Sequence, residues 1–138
     1  VSPVRRDPTL ESVVRVAKHN GYDCFLMFTV YAQRATRPND MERGCNDARH
    51  RANMEAFDYI LSLSEQPAVW AAWGNIIEQR AYLKDCLADM IAIGERHGAQ
   101  WYTAGRRSVK GHPHHPLYLK ATSPLDAFDI RAYCAECL

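Results

Sequence analysis

The sequence predicts an α/β fold with three layers (α-β-α), in which helices cover both faces of a small, mostly parallel sheet. Two observations predict it: three short apolar runs alternate with segments of helical periodicity, and each run ends in a polar, irregular stretch. Strands that alternate with helices are typical of parallel sheets. A length of 138 residues fits one domain of ordinary size, so residues 1–138 are predicted to form a single α/β domain.

Helical spacing of apolar residues and recognisable end signals predict four helices. Asp7 suits the N-cap of the first, and Pro8 suits its first position, where a missing N–H costs nothing. Gly21 and Gly98 fit the ends of the first and third helices. The predicted helices begin at Pro8, at Asn46 or Asp47, after Gly74-Asn75, and at Ser123-Pro124, and they end near Gly21, Leu63, His97 and Cys134.

Three apolar runs are the predicted strands: Cys24–Val30, Ala68–Trp73 and Gln100–Ala104. The first is continuous, with aromatic and β-branched residues, which is typical of a strand buried on both faces. Leu117–Leu119 is expected to add a short extended piece. Because the pattern begins on a helix, a further strand ahead of Val1 would complete the fold.

Composition excludes several classes of protein. The net charge is +1, so the average composition points to neither nucleic acid nor membrane, and anion binding must come from local clusters. No apolar run approaches the roughly 18 residues that a membrane helix needs. The five cysteines are odd in number and scattered, which indicates a reducing, cytoplasmic setting, with Cys24 and Cys86 as small buried residues. No membrane partner is expected, and the oligomeric state stays open.

Topology predicts where a ligand site lies. In open α/β sheets, ligands bind outside the carboxyl ends of the strands. Here those ends are Tyr31–Arg37, Trp73–Asn75 and Gly105–His115, which are also the most polar and irregular stretches.

The third of these stretches is rich in histidine. His112, His114 and His115 lie within four positions, and neighbouring prolines stiffen the loop that leads to Tyr118. A neutral imidazole can donate to a developing anion, accept a proton or bind a metal. The alternative is a solvated loop in which the histidines have no function.

The other two stretches suit phosphate and a base. Arg34, beside Thr36, presents a planar fork that matches phosphate. The alternative for any one such arginine is ordinary surface charge. Gly74 allows close approach of the backbone, Asn75 can read an amide or base edge, and Trp73 can stack.

A metal site is an alternative that the chain end raises. Cys134 and Cys137 have the spacing of zinc ligands, and the histidine loop would have to complete a set of four. Because only one such pair exists and it lies at the chain end, no metal and no cofactor are predicted. Phosphate-loop, dinucleotide and nucleophile-elbow motifs are absent from the sequence.

Four stretches together resemble a known bacterial family, the domains of unknown function numbered 1643. The resemblance covers nearly the whole chain, and its RAT, WGN and HPLYL segments in this order are fairly specific. That family carries no settled activity to transfer. The stretches are DPT at Asp7–Thr9, YAQRATRP at Tyr31–Pro38, AAWGN at Ala71–Asn75 and GHPHHPLYL at Gly111–Leu119.

More distantly, the layout is similar to the uracil-DNA glycosylase superfamily. In those proteins an apolar strand runs into Trp-Gly and a polar residue, as at Trp73–Asn75, and a later His-Pro-Ser loop contacts the uracil. His115-Pro116-Leu117 matches that loop, with Leu117 in place of serine. An asparagine that reads the uracil edge would fall near Thr29, and the water-activating motif would fall near Val1–Pro3 or Asp7-Pro8. The resemblance implies a glycosylase-like fold with a pocket for a base.

These observations support two classes of function. One is a nucleotide- or nucleic-acid-binding domain, extending to a glycosylase-like hydrolase that acts on a base, with His115 as the catalytic residue. The other is a binding module without chemistry, which uses the same pocket or a metal held by the terminal cysteines and the histidine loop. The predicted ligand-binding residues are Arg34, Thr36, Trp73, Gly74, Asn75, His112 and Tyr118.

Overall fold

The fold is a mixed α/β arrangement of four helices and one small sheet. It comes from a computed structural model that describes residues 7–31 and 45–138. Its elements are α1 (Pro8–His19), α2 (Asp47–Ser62), β1 (Ala68–Trp70), a 3₁₀ helix (Gly74–Glu78), α3 (Ala81–Arg96), β2 (Gln100–Ala104), β3 (Leu125–Ala127) and α4 (Ile130–Cys137).

The first two helices and the end of the third confirm the sequence prediction, but α3 begins at Ala81, after a separate 3₁₀ helix, and not directly after Asn75 as predicted. Asp7 caps α1 by accepting a hydrogen bond from the Thr9 N–H at 2.9 Å. Asn46 caps α2 in the same way, accepting from the Arg49 N–H at 3.1 Å. Gly98 lies just after the end of α3 with φ +66°, a conformation that glycine adopts at little cost.

The sheet has the order β1-β2-β3, with one parallel and one antiparallel pair. β1 and β2 run parallel, with Ala68 opposite Gln100, and α3 is the crossover between them. This pair confirms the parallel connection that the sequence predicts. β3, which the sequence did not predict as a strand, runs antiparallel to β2, with Ala127 opposite Tyr102, so the sheet is mixed and not mostly parallel as predicted.

The predicted first strand, Cys24–Val30, is irregular and pairs with no described strand. Leu26 and Met27 are 67% and 56% exposed, and Cys24 is exposed rather than buried. Only alternate residues face inward: Phe28 packs edge-on against Phe57 with ring centroids 5.3 Å apart, and Val30 contacts the core. A continuous apolar run cannot by itself distinguish a doubly buried strand from a segment that packs through one face.

The C-terminal region also differs from the prediction. Ser123-Pro124 does not open a helix, because α4 begins later, where Asp129 caps it by accepting from the Ala132 N–H at 3.0 Å. The preceding residues form β3, held by Asn20 at the end of α1. The Asn20 side chain donates to the Ser123 carbonyl and accepts from the Leu125 N–H, both at 2.9 Å. This tertiary clamp leaves no local signal in the sequence.

The main core lies where α3 and α4 pack together with β2. A second, smaller cluster fills the space between α2 and α3. Within the described ranges, no helix is long and apolar enough to cross a membrane. Buried members of the main core include Leu83, Leu87, Ile91, Trp101, Ile130 and Tyr133.

The packing of β2 on α3 depends on a glycine. A Cβ atom added at Gly94 would lie 2.5 Å from Cζ2 of Trp101, well inside van der Waals contact. We therefore expect Gly94→Ala to lower the free energy of unfolding by about 1–3 kcal/mol, although alanine is the better helix former. Denaturant unfolding measures it.

Trp101→Phe provides the control for that substitution. The smaller ring should relieve the clash, so the double variant should lose less stability than the sum of the two single variants. Additive losses would mean that the indole does not lie against Gly94.

Candidate functional site

The carboxyl ends of β1 and β2 meet at one edge of the sheet because the two strands are parallel. Gly74 follows β1, and its N–H donates to the Pro113 carbonyl, in the loop after β2, at 3.0 Å. A Cβ atom at Gly74 would lie 3.3 Å from Cβ of His115, and the φ of Gly74 is +63°. The structure thus brings Gly74 and His115 together and requires glycine at position 74. Asn75, the next residue, is exposed.

A buried histidine fixes the loop beneath this edge. His112 is fully buried, and both of its ring nitrogens contact protein groups. Nδ1 lies 2.7 Å from the Tyr133 hydroxyl, and Nε2 lies 2.8 Å from Oε1 of Glu78. The Trp73 indole N–H donates to the same Tyr133 hydroxyl at 3.0 Å. The chain Trp73–Tyr133–His112–Glu78 therefore connects both strand ends to α4.

The hydrogen-bond directions in this chain follow from its donors. The Trp73 indole can only donate, so the Tyr133 oxygen accepts from it. The ionised Glu78 can only accept, so Nδ1 of a neutral His112 has no proton and accepts the Tyr133 proton. The proton of a neutral His112 then lies on Nε2 and is donated to Glu78. In this state, every polar atom of the four hydrogen-bonded side chains that is buried has a hydrogen-bond partner, as buried polar groups require.

The charges along the chain agree with this assignment. Burial raises the pKa of Tyr133 to about 12, so its hydroxyl keeps its proton at neutral pH. The hydrogen bond from His112 holds the pKa of Glu78 below its ordinary value, with the Lys84 ammonium, 3.4 Å away, adding to the effect. The Tyr133 hydroxyl of the network is therefore uncharged, and the network ends in the Glu78 carboxylate at the surface.

His115 differs from His112 because one of its ring nitrogens, Nε2, has no bonded partner among residues 7–31 and 45–138. Its Nδ1 accepts from the Leu117 N–H at 3.2 Å, which leaves the proton of a neutral ring on Nε2. Burial lowers the pKa of His115, nearby His114 lowers it further, and the Asp7 carboxylate opposes both. His115 is thus neutral at pH 7 and presents an N–H donor. His114 is turned aside, bonded through Nδ1 to the His115 carbonyl.

The backbone around His115 depends on further close contacts. Ser108 and His112 bond each other twice: the Ser108 N–H donates to the His112 carbonyl at 2.9 Å, and the Ser108 hydroxyl accepts from the His112 N–H at 3.1 Å. Gly105 has φ +76°, and a Cβ atom there would lie 2.5 Å from Cδ2 of Leu119. Contacts within residues 105–119 therefore hold the loop in place on both sides of His115.

Tyr118 occupies an unusual conformation next to His115. Its φ is +67°, the only positive value of a non-glycine residue within the described ranges, and it is 90% exposed. The short extended piece expected at Leu117–Leu119 is instead a turn closed by Leu119, whose N–H donates to the Pro116 carbonyl at 3.2 Å. A bulky residue in the left-handed region is strained, and such residues cluster at functional sites.

The other predicted site residues fall into three groups. Trp73 is half-buried, and its ring packs against Tyr133 and Phe128, so it forms part of the wall of the site. His112 has no accessible nitrogen, so the structure gives it the position of an anchor and not of a ligand contact. Arg34 and Thr36 lie outside the described residues, and their roles stay predictions.

Two members of the network were missed by sequence reasoning. Tyr133 lies at the apolar spacing of α4, which indicates core packing and hides the role of its hydroxyl. Glu78 is one of many charged residues, and no motif marks it. The only feature of the sequence that could have indicated a place for Glu78 near the site is its position four residues after Gly74.

The loop after β2 carries an excess of positive charge. Residues 105–120 contain four lysines and arginines and no aspartate or glutamate. The guanidinium of Arg107 lies over the Phe128 ring, 5.6 Å from its centroid. All four basic side chains are exposed: Arg106, Arg107, Lys110 and Lys120.

The terminal cysteines do not join the histidines in a metal site. Cys137 Sγ donates to the Lys110 carbonyl at 3.6 Å, and both nitrogens of nearby His112 are engaged. In residues 7–31 and 45–138 no group of three histidine, cysteine or acidic side chains is placed to hold a metal ion. Two surface grooves, of about 380 and 300 Å³, lie elsewhere, along α1 and at the amino end of β2.

These features define an α/β protein with a polar site at the carboxyl ends of two parallel strands. A family model described as "Protein of unknown function (DUF1643)" matches residues 1–117. The chain belongs to this family, as the resemblance of its motifs predicts. No curated protein and no solved structure matches the chain.

The network makes stability depend on pH through Glu78. Its pKa is lower in the folded protein than the ordinary value of 4.5, so its contribution is present above pH 4.5 and disappears as pH falls through the folded pKa. We expect Glu78→Gln to flatten the fall in thermal stability between about pH 5 and pH 3. Melting temperatures across this range measure the effect.

Glu136→Gln is the matched control, since Glu136 is exposed and outside the network. It should leave the pH profile of wild type unchanged. An acid profile of Glu78→Gln as steep as that of wild type would contradict the proposed bond between His112 and Glu78.

Proposed function

We propose that the protein binds a nucleotide or a nucleic-acid strand at the edge where β1 and β2 end, in a fold and pocket of the uracil-DNA glycosylase type. The observation that carries the proposal is the loop of residues 105–120, which joins four exposed cations to His115 and Tyr118 without one carboxylate. Polyanions are recognised by such local clusters even when the net charge is near zero.

His115 is suited to the base and not to the phosphate. A neutral Nε2–H is a directional donor that can bond a carbonyl oxygen or a ring nitrogen of a base. The absence of a side chain at Gly74 allows the His115 backbone to lie against the end of β1, which holds the ring at this edge. Asn75, exposed on the same edge, supplies both a donor and an acceptor.

Tyr118 supplies a stacking surface. Its ring is displayed to solvent by a strained backbone, whereas the Trp73 ring is packed against Tyr133 and Phe128. Bases stack on exposed aromatic side chains with little dependence on sequence. We therefore assign stacking to Tyr118 and keep Trp73 as the wall of the site, while Arg34 and Thr36 are proposed to hold phosphate.

Binding of short single strands tests the proposal. Arg106→Ala and Arg34→Ala should each weaken binding by about 10- to 100-fold and make the plot of log affinity against log salt shallower by about 0.7. His115→Ala and Tyr118→Ala should weaken binding without changing that slope, because neither side chain neutralises a phosphate. Titrations of nucleotides and strands at several salt concentrations provide the measurement.

Arg131→Ala is the control, because it removes one positive charge that is already paired with Glu95 on another part of the surface. It should bind as wild type does. The proposal fails if no nucleotide or strand binds wild type more tightly than about millimolar, or if the control loses as much affinity as the loop variants.

A hydrolytic activity on a base is the second candidate, and the position of Asp7 favours it. The Asp7 carboxylate lies close enough to His115 for its charge to raise the pKa of that ring. One carboxylate oxygen caps α1, and among the described residues the other has no bonded partner. A carboxylate beside a neutral donor can orient water while the donor stabilises the departing base.

Release of uracil from a single strand tests this second candidate. Asp7→Asn keeps the cap of α1, since asparagine is an equally good N-cap, but it removes the carboxylate that would orient the attacking water. We expect release to fall by about 100-fold or more and strand binding to stay within a factor of two. Absence of release by wild type would end the hydrolase proposal and leave the binding proposal intact.

A further inference from the structure

Two cysteines far apart in sequence face each other beside the main core. Cys45 Sγ and Cys86 Sγ lie 4.0 Å apart, and the two residues are separated by 41 positions in the sequence. Cys86 is buried on α3, and Cys45 is half-buried just before α2. All five cysteines, including Cys24, Cys134 and Cys137, are free thiols in this structure.

Both members of this pair are held in place by neighbouring contacts. Asn46, which follows Cys45, donates its N–H to the Tyr31 hydroxyl at 2.7 Å, and Tyr31 is buried in the main core. Cys86 lies in the same cluster, between Leu83 and Leu87. The two thiols are therefore adjacent because the backbone at Asn46 and the helix that carries Cys86 are both fixed by contacts with the core.

We propose that Cys45 and Cys86 are a site of reversible oxidation to an intramolecular disulfide, with a low-molecular-weight disulfide as the oxidant. A disulfide bond is about 2.05 Å long, so the sulfurs need to approach by roughly 2 Å. Cys45 lies outside α2, so rotation about its χ1 is not limited by a helical turn.

The reaction balances as two thiol–disulfide exchanges. The Cys45 thiolate attacks a sulfur of the oxidant, which forms a mixed disulfide and releases one small thiol. Cys86 then loses its proton to water and attacks the Cys45 sulfur, which releases the second small thiol. Two protein thiols lose two electrons and two protons, and the oxidant becomes two thiols.

Burial determines the order of these steps. Burial, reinforced by the neighbouring Cys45, raises the pKa of Cys86 to about 12, so little of it is thiolate at pH 7. The more accessible Cys45 makes the first attack, and the second step is slow and becomes faster as pH rises. The product is protected, because one of its sulfurs is inside the core.

The terminal cysteines are the competing pair. Cys134 and Cys137 lie three positions apart on α4, and the Cys137 thiol points to the Lys110 carbonyl. The structure records no contact between their sulfurs. Oxidation of the folded protein should therefore join Cys45 to Cys86 and leave these two cysteines reduced.

Mixtures of oxidised and reduced glutathione test the proposal on the folded protein. After equilibration, free thiols are alkylated and the chain is cleaved with trypsin. We expect residues 44–49 to be linked to residues 85–96, while residues 132–138 carry two alkylated cysteines. Closing a segment of this length should also raise Tm by about 5–15 °C, reversibly with dithiothreitol.

Two variants and a control make the outcome decisive. Cys86→Ala should stop at one glutathione bound to Cys45, and Cys45→Ser should leave Cys86 alkylatable and abolish the rise in Tm. The Cys134→Ala/Cys137→Ala control should form the link as wild type does. The proposal is overturned if Cys86 of wild type stays alkylatable in every mixture, or if the link joins other cysteines.

Discussion

The site depends on one buried imidazole. A histidine without exposure is costly unless both of its nitrogens find partners, and His112 has two, Tyr133 and Glu78. These partners come from α4 and from the 3₁₀ helix after β1, so the loop after β2 can pass between them along one path only. Pro113, the next residue, accepts the bond from Gly74 and fixes the two strand ends against each other.

The same constraint determines what the outer histidines do. His114 bonds to the backbone, and His115 lies beside Gly74 with one ring nitrogen that bonds to none of the described residues. Three residues of one type within four positions thus have three separate roles: anchor, local brace and exposed donor. Loss of the anchor would release the backbone that positions the donor, so a substitution of His112 would act on the candidate site through His115.

Sequence alone predicted those parts of the fold that are encoded locally. The caps of α1 and α2, the glycine after α3 and the apolar strand at β2 are such features, and all are present. The parts that sequence missed depend on distant partners. The segment before β3 is extended because Asn20 holds it, and Cys24–Val30 pairs with no described strand although its composition is that of a strand.

The site follows the same division. Topology placed Gly74 and His115 at one edge, because parallel strands direct their carboxyl ends the same way, and the structure brings these residues together. The roles of individual histidines were not predictable, since Tyr133 and Glu78 lie 21 and 34 positions from His112. Side chains that complete a buried hydrogen-bond chain look like core or surface residues in the sequence.

The neutral state of His115 gives the site a chemical consequence. Because burial lowers its pKa, the unfolded chain binds more protons below about pH 6.5, and folding is weakened as pH falls through that region. An anion near Nε2 acts in the opposite direction, since it stabilises the protonated ring and raises the pKa toward its ordinary value. Ligand charge and the protonation of His115 are therefore coupled. Under the proposed function, the exposed cations on residues 105–120 would hold phosphate away from the ring, so that His115 stays neutral and donates to a base.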